Sequence, residues 1–236
     1  MEREFMAYKA WVMTQEWRDL LFLHWPVDPD KIRRWVPEEL ELDLYDNKAW
    51  IGIVPFKAEG TRLRFLPPIP GPANFLEINV RTYVRYKGKS GVYFFSLDAN
   101  SPSAVEVASF GGFLPYRHAV MSHTKKGDRI SFKSRLVEKG IPKEKISLEF
   151  EVLPERAVST PLEQWLTERY CLWTKPGRHL LRVDIAHKPW KLKYVKGEIT
   201  TNTMAMYFGI NFWDQKPIAH YTEMKKVRFY PPIIEK

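Results

Sequence analysis

Polar residues at every second position of one extended segment are the clearest chemical signal in this chain. In Leu76-Glu77-Ile78-Asn79-Val80-Arg81-Thr82-Tyr83-Val84-Arg85 the alternation of apolar and polar residues has the period of a β-strand. A strand places Glu77, Asn79 and Arg81 on one face and Leu76, Ile78, Val80 and Val84 on the other, with same-face neighbours about 7 Å apart. Such a row has two readings. On a solvent-facing strand it is a hydrated stripe with a diagonal ion pair worth less than about 1 kcal/mol. Along a cavity wall the same carboxylate would titrate anomalously once desolvated, and the arginine could hold the carboxylate of a ligand. Residue types and spacing leave both open.

Other chemistries lack their signatures. No glycine-rich phosphate loop follows a strand, and Cys-x-x-Cys, His-Glu-x-x-His and Gly-x-Ser-x-Gly do not occur. The six histidines, at 24, 118, 123, 179, 187 and 220, are scattered, so neither a metal nor any other cofactor is expected. Cys171, set among Tyr170, Leu172 and Trp173, reads as a buried inert thiol rather than a nucleophile. As the sole cysteine it also excludes an intrachain disulfide.

The elements that would position the polar row are mostly strands. Gly91-Val-Tyr-Phe-Phe-Ser-Leu97 follows a Lys87-Gly88-Lys89-Ser90 turn, a hairpin signature. Further strands are predicted at 49–55, 129–138, 146–153, 180–187 and 218–229. Helices are short and few. Asp28 caps one that opens with Pro29 and is over by Pro37. Thr160 and Glu163 form a capping box that opens another, running toward Arg169. A third is predicted after Pro115, through Arg117 to Ser122. The proline-dense stretch 65–72 reads as a stiff loop that could lid a pocket. This mixture is α+β, dominated by antiparallel sheet.

With 44% hydrophobic residues in 236, and no repeat, linker or low-complexity tract, one domain over 1–236 with a sizeable core is expected. Aromatics at 14% suit sheet packing. The longest apolar run near the N-terminus, Leu20 to Leu23, is far too short to span a bilayer, so a soluble, reducing, cytoplasmic setting is expected, with no membrane partner. The net charge of +9 raises the question of nucleic acid, and much of it lies between Arg117 and Lys145, where nine Lys and Arg face three acids. Those cations alternate with apolar residues, as in Ile130-Ser-Phe132-Lys133-Ser-Arg135-Leu136, which is the pattern of the wet face of a half-buried sheet. No nucleic-acid partner is expected.

Several blocks together resemble the YqjF-like family. They are Trp17-Arg-Asp-Leu-Leu-Phe-Leu-His24-Trp25-Pro26-Val, Ala49-Trp50-Ile-Gly-Ile-Val-Pro-Phe56 and Phe75-Leu-Glu77-Ile-Asn79-Val-Arg81-Thr-Tyr83-Val84. Gly91-Val-Tyr-Phe-Phe-Ser96-Leu-Asp98, Leu114-Pro115-Tyr116, Trp165 to Trp173 and His187-Lys-Pro189-Trp190 continue the series in the family's order. That family is in turn similar to acetoacetate decarboxylase, whose pattern has a Glu where Glu77 stands and a Gly-Tyr-Pro-Lys-Lys that this chain renders as Gly112-Phe113-Leu114-Pro115-Tyr116-Arg117. The resemblance implies a curved, nearly closed antiparallel sheet, a double barrel or cone around an internal pocket, with a few short outer helices.

The departure from the pattern bears on mechanism. Imine-forming decarboxylation needs a neutral lysine, and acetoacetate decarboxylase is the standard instance. Tyr116 and Arg117 occupy the place of the lysine pair, and an arginine stays protonated. What remains is a pocket selecting a small organic acid or keto compound. Glu77, Tyr116 and Arg117 are its catalytic candidates, Glu77 as base and the other two steadying an oxyanion or enolate, for proton transfer or lyase-type chemistry without a Schiff-base lysine. Asn79, Arg81, Ser96, Arg169 and His187 are its ligand-binding candidates. For Arg169, a buried pair with a carboxylate such as Asp98 is an equal alternative, and for Trp190 packing is favoured. A non-catalytic small-molecule-binding or sensing module on the same scaffold is the rival reading, and homo-oligomerisation is left open.

Overall fold

The computed structural model describes residues 10–67, 74–108, 113–137, 144–212 and 215–235. Five strands form a wall at its centre. They are β1 (Met13–Val27), β3 (Ala49–Leu63), β4 (Phe75–Tyr86), β5 (Lys89–Ala99) and β12 (Ile218–Phe229), paired antiparallel in the order β12-β1-β3-β4-β5. Both edges of this wall continue into further strands, and they do so twice. Through β6 (Tyr116–Lys126), β7 (Arg129–Leu136), β8 (Lys145–Arg156) and β11 (Lys193–Asn202) the hydrogen bonding runs from β5 round to β12. Through β9 (Cys171–Thr174) and β10 (Leu181–Ala186) it runs from β5 to β12 by a shorter path. The result is two closed rings of strands, a larger and a smaller barrel sharing one wall, and closure leaves few unpaired edges. The short β2 (Glu41–Leu42) and β13 (Ile233–Ile234) flank β4 and β10.

Because the wall divides two interiors, its strands are buried on both faces. Leu21, Leu23, Ile51, Ile53, Ile78 and Val80 pack with Ile130, Phe132, Leu148 and Phe150 inside the larger barrel. Leu20, Phe22, Val54 and Phe56 point the other way. A strand covered on both sides reads as a continuous apolar run, which is why Leu20–Leu23 gives no alternating signal although it lies at the middle of β1. On β7 the expected alternation is present: Ile130, Phe132 and Leu136 are buried, while Arg129, Lys133 and Arg135 are exposed.

The hairpin between β4 and β5 turns on Lys87 and Gly88, both with positive φ (46° and 76°), the geometry that matches strand twist. Among the described residues three short α-helices lie outside the strands: α1 (Pro29–Arg33), α2 (Pro102–Ala108) and α3 (Pro161–Thr167). Asp28 caps α1 by accepting from the Asp30 amide at 3.0 Å, and Thr160 and Glu163 make the reciprocal box at the start of α3. The expected helix after Pro115 is instead β6. Its backbone pairs parallel to β5 and antiparallel to β7, and Ala119 and Met121 point alternately with Val120 into the larger barrel, so tertiary pairing overrides a weak local preference. The pairings of β5 with β6 and with β9 are the parallel ones in an otherwise antiparallel sheet. Most of the proline-dense loop, from 68 to 73, lies outside the described residues, as do Gly112 of the glycine-proline turn and the charged stretch 138–143.

Candidate functional site

On β4 the residues Glu77, Asn79, Arg81 and Tyr83 share the face that looks into the smaller barrel. The cross-strand registers assign their neighbours. Phe56 and Ala99 flank Glu77, Val54 and Leu97 flank Asn79, and Gly52 and Phe94 flank Arg81. Leu97 is also opposite Tyr116 of β6, which brings the Tyr116 side chain to the same face. Its hydroxyl donates to Glu77 Oε2 at 2.8 Å. The Asn79 side chain also hydrogen-bonds this carboxyl.

Glu77 is 4% exposed, and no cation pairs with it among the described residues. Burial therefore dominates, and its pKa is pushed up to about 7, against the lowering effect of the Tyr116 and Asn79 bonds and with a small push from the Asp98 charge. Tyr116 moves the same way. Burial and the adjacent Glu77 carboxylate hold its phenol well above the ordinary range, so it remains a donor. A carboxyl that titrates near neutrality is matched to proton transfer.

Further along the barrel the register puts His24, Gly52 and Arg81 in a single cross-strand row. His24 is fully buried, and neither ring nitrogen has a hydrogen-bond partner among the described residues. Burial, with help from the Arg81 and His220 charges, holds its pKa well below the ordinary histidine value, so it is neutral. Among the described residues Asn79 Oδ1, Arg81 Nε, Trp50 Nε1 and His220 Nδ1 are likewise buried without partners, while the Tyr83 hydroxyl accepts a hydrogen bond from the Arg81 side chain. Native interiors leave few such groups, so each one calls for an explanation. α3 closes this end, with the Trp165 ring 4.8 Å from that of Tyr83.

The remaining sequence candidates are dispersed. Arg117 follows Tyr116 by one residue and so points to the opposite side, into the larger barrel, rather than toward Glu77. There its guanidinium spans Asp98 (2.6 and 3.0 Å) and Glu144 (2.9 and 3.2 Å), and these charge-assisted bonds hold it protonated despite burial. Ser96 pairs with Val80 and faces the larger barrel as well. Arg169 pairs with Asp43, not Asp98, at 2.6 Å, and donates to the Trp165 carbonyl at 2.7 Å. Its guanidinium stacks over the rings of Trp165 and Tyr83, at the α3 end of the smaller barrel. His187 is half-buried between Tyr170 (4.7 Å) and Trp190 (4.6 Å). It lines an open groove of about 760 Å³ together with Trp11, Arg62, Lys226 and Arg228. The cations of that groove are solvated, with Lys226 76% exposed, whereas the polar atoms of His24, Trp50, Asn79 and Arg81 in the smaller barrel are buried. Cys171 is 1% exposed and burial pushes its thiol up to about 12, as for an inert core cysteine.

His24, Trp50, Tyr83 and His220 escaped the sequence reading of the site. The available signal was a histidine embedded in the apolar run Leu20–Trp25, which is costly unless its nitrogens are served.

Comparisons with known proteins agree with this architecture. The model of the DUF2071 family, described as an uncharacterized conserved protein, matches residues 14–226. The uncharacterized protein YqjF of Bacillus subtilis (strain 168) is 43% identical over 223 residues, covering 94% of this chain and 91% of that protein. Among solved structures, an acetoacetate decarboxylase-like enzyme from Sphingomonas wittichii RW1 superposes with a TM-score of 0.66 at 11% identity, over 96% of this chain and 94% of that one. The enduracididine biosynthesis enzyme MppR complexed with pyruvate gives 0.64 at 11% identity, over 96% and 91%. Acetoacetate decarboxylase from Legionella pneumophila gives 0.61 at 14%, over 96% and 88%. At such identities the structural likeness establishes the fold alone, while the sequence match establishes the family. The chain belongs to the DUF2071 family of YqjF-like proteins and carries an acetoacetate decarboxylase-like fold.

Proposed function

We propose that the smaller barrel binds a small organic acid or keto compound and that Glu77 moves a proton to or from it. The observation that carries this reading is the Glu77 carboxyl itself: buried, bonded to neutral groups, and titrating near pH 7. Tyr116, a permanent donor in this setting, is suited to steady the oxygen of an enolate or oxyanion. Arg117 does not share this task, because four of its five N–H donors are engaged by Asp98 and Glu144 on the other side of the sheet. A tyrosine at the position of the imine-forming lysine supports chemistry, such as enolisation, that needs no covalent intermediate. The solved relative complexed with pyruvate makes 2-oxo acids the first compounds to try.

The test follows proton exchange. With pyruvate in heavy water, the Glu77 carboxylate takes a methyl proton to give the enolate, and a deuteron returns to carbon. Loss of the methyl signal by NMR, faster than in buffer and abolished in Glu77→Gln, is the expected result. Binding without exchange would leave the module non-catalytic, the alternative on this scaffold, and absence of both would refute the reading.

A further inference from the structure

We infer that the end of the smaller barrel away from Glu77 is a carboxylate-receiving pocket made by His24, Trp50, Arg81 and Tyr83, so that the ligand is a short monocarboxylate that enters carboxylate-first, with its reactive carbon toward Glu77. This rests on the function proposed above and specifies the class of ligand. His24, Gly52 and Arg81 are directly opposite one another on β1, β3 and β4. A Cβ on Gly52 would lie 3.3 Å from Arg81 Cγ and Nε and 3.3 Å from His24 Cδ2, so the missing side chain is what lets the two neighbours converge above the strand. Two residues further along β3 and β4, on the same face, stand Trp50 and Tyr83.

The chemistry of the unpartnered atoms defines the guest. Arg81 Nε and Trp50 Nε1 each offer a hydrogen, a neutral His24 offers one more, and the Tyr83 hydroxyl, which accepts from Arg81, has its own proton to donate. A carboxylate has roughly four lone-pair positions to receive them. The charges agree. His24 is held neutral, and Arg169, which stacks on Tyr83, is already paired with Asp43. Arg81 thus supplies the one positive charge of this end that is not matched by a described ion pair. A second carboxylate on the ligand would meet Glu77, whose charged neighbour is Asp98, and no cation would offset it. A neutral ester would leave the half-buried Arg81 against an uncharged guest. Along β4, Arg81 is four steps beyond Glu77, about 13 Å between Cα atoms. The two long side chains take up much of that span, so a guest held between them must be short.

Calorimetric titration tests this with pyruvate, acetoacetate, their methyl esters and 2-oxoglutarate. At least one of the two monocarboxylates should bind, with its ester and the dianion about tenfold weaker or more, as expected for losing a charge-assisted bond. His24→Phe, which keeps the ring stacked on Phe22, should weaken the acid about tenfold and leave the weak ester binding unchanged. Tyr83→Phe, which deletes a single hydroxyl, should act in the same direction and serves if the His24 variant fails to fold. Equal affinity for acid and ester, unchanged acid binding in both variants, or no binding of either monocarboxylate by the wild-type protein would overturn the inference. Selective acid binding without proton exchange would instead defeat the role of Glu77 and leave this pocket standing. Exchange with no acid-over-ester preference would do the reverse.

Discussion

Glu77 and Arg117 show how burial gives opposite outcomes to two charged residues. Glu77 has only neutral hydrogen-bond partners, so removal from water raises its pKa to about 7. A carboxyl with a raised folded-state pKa stabilises the fold fully below its unfolded value, near 4.5, and loses that contribution as pH climbs through 7. The loss is on the order of 3 kcal/mol for a shift of this size. Glu77→Gln should therefore unfold at a higher temperature than wild type at pH 8 and at nearly the same temperature at pH 4, with thermal melts at the two pH values as the check. An unchanged difference between them would mean that the carboxyl is hydrated. Arg117, by contrast, is clasped by two carboxylates that would repel each other without it. Arg117→Met should cost about 3–5 kcal/mol in urea unfolding, because it strands Asp98 and Glu144. It should also push the Glu77 carboxyl further up, because Asp98, whose charge already raises it, loses its counter-ion.

The strands place these residues through details of backbone contact. Gly197 of β11 faces Phe150 of β8, and a Cβ there would sit 2.1 Å from the Glu149 carbonyl oxygen and 2.7 Å from the Phe150 Cα. Neither atom can swing away as a side-chain tip would, so Gly197→Ala should force β8 and β11 apart at a seam of the larger barrel. A stability loss of about 1–3 kcal/mol is expected from chemical denaturation, whereas alanine at Gly127, where nothing lies within 4 Å, should show only the strain of its positive φ. β1 adds a second local device. Asp19 adopts φ 50° within a long strand, and the pairing with β3 slips between Arg18 and Leu23. Its carboxylate accepts from Tyr221 at 2.6 Å and from Lys125 at 2.9 Å, so the bulge is tied across the larger barrel at the end of β6 opposite Arg117.

At the scale of the whole molecule the two rings share β1, β3, β4, β5 and β12, and neither can open without losing pairings of the other. Unfolding is expected as one cooperative transition, with tryptophan fluorescence and far-ultraviolet dichroism changing together. Two separated transitions would show that the barrels are independent units. Among the described residues no helix is long and apolar enough to cross a membrane. The sequence by itself determined what is local. Alternation set the face shared by Glu77, Asn79 and Arg81. Capping residues started α1 and α3, and Lys87-Gly88 set the hairpin. The family motifs also made the curved sheet legible. Local pattern could not say which face was enclosed, nor that β6 would be a strand, nor that Tyr116 and Arg117, adjacent in the chain, would serve opposite interiors. Those outcomes depend on β6 pairing with β5 and on β1 pairing with β12, some 200 residues away, and a two-residue period is blind to what lies beyond either face. Only that pairing brought His24, Gly52 and Arg81 into one row, because the partner of a strand is chosen by the burial of the whole sheet and not by the residues next to it.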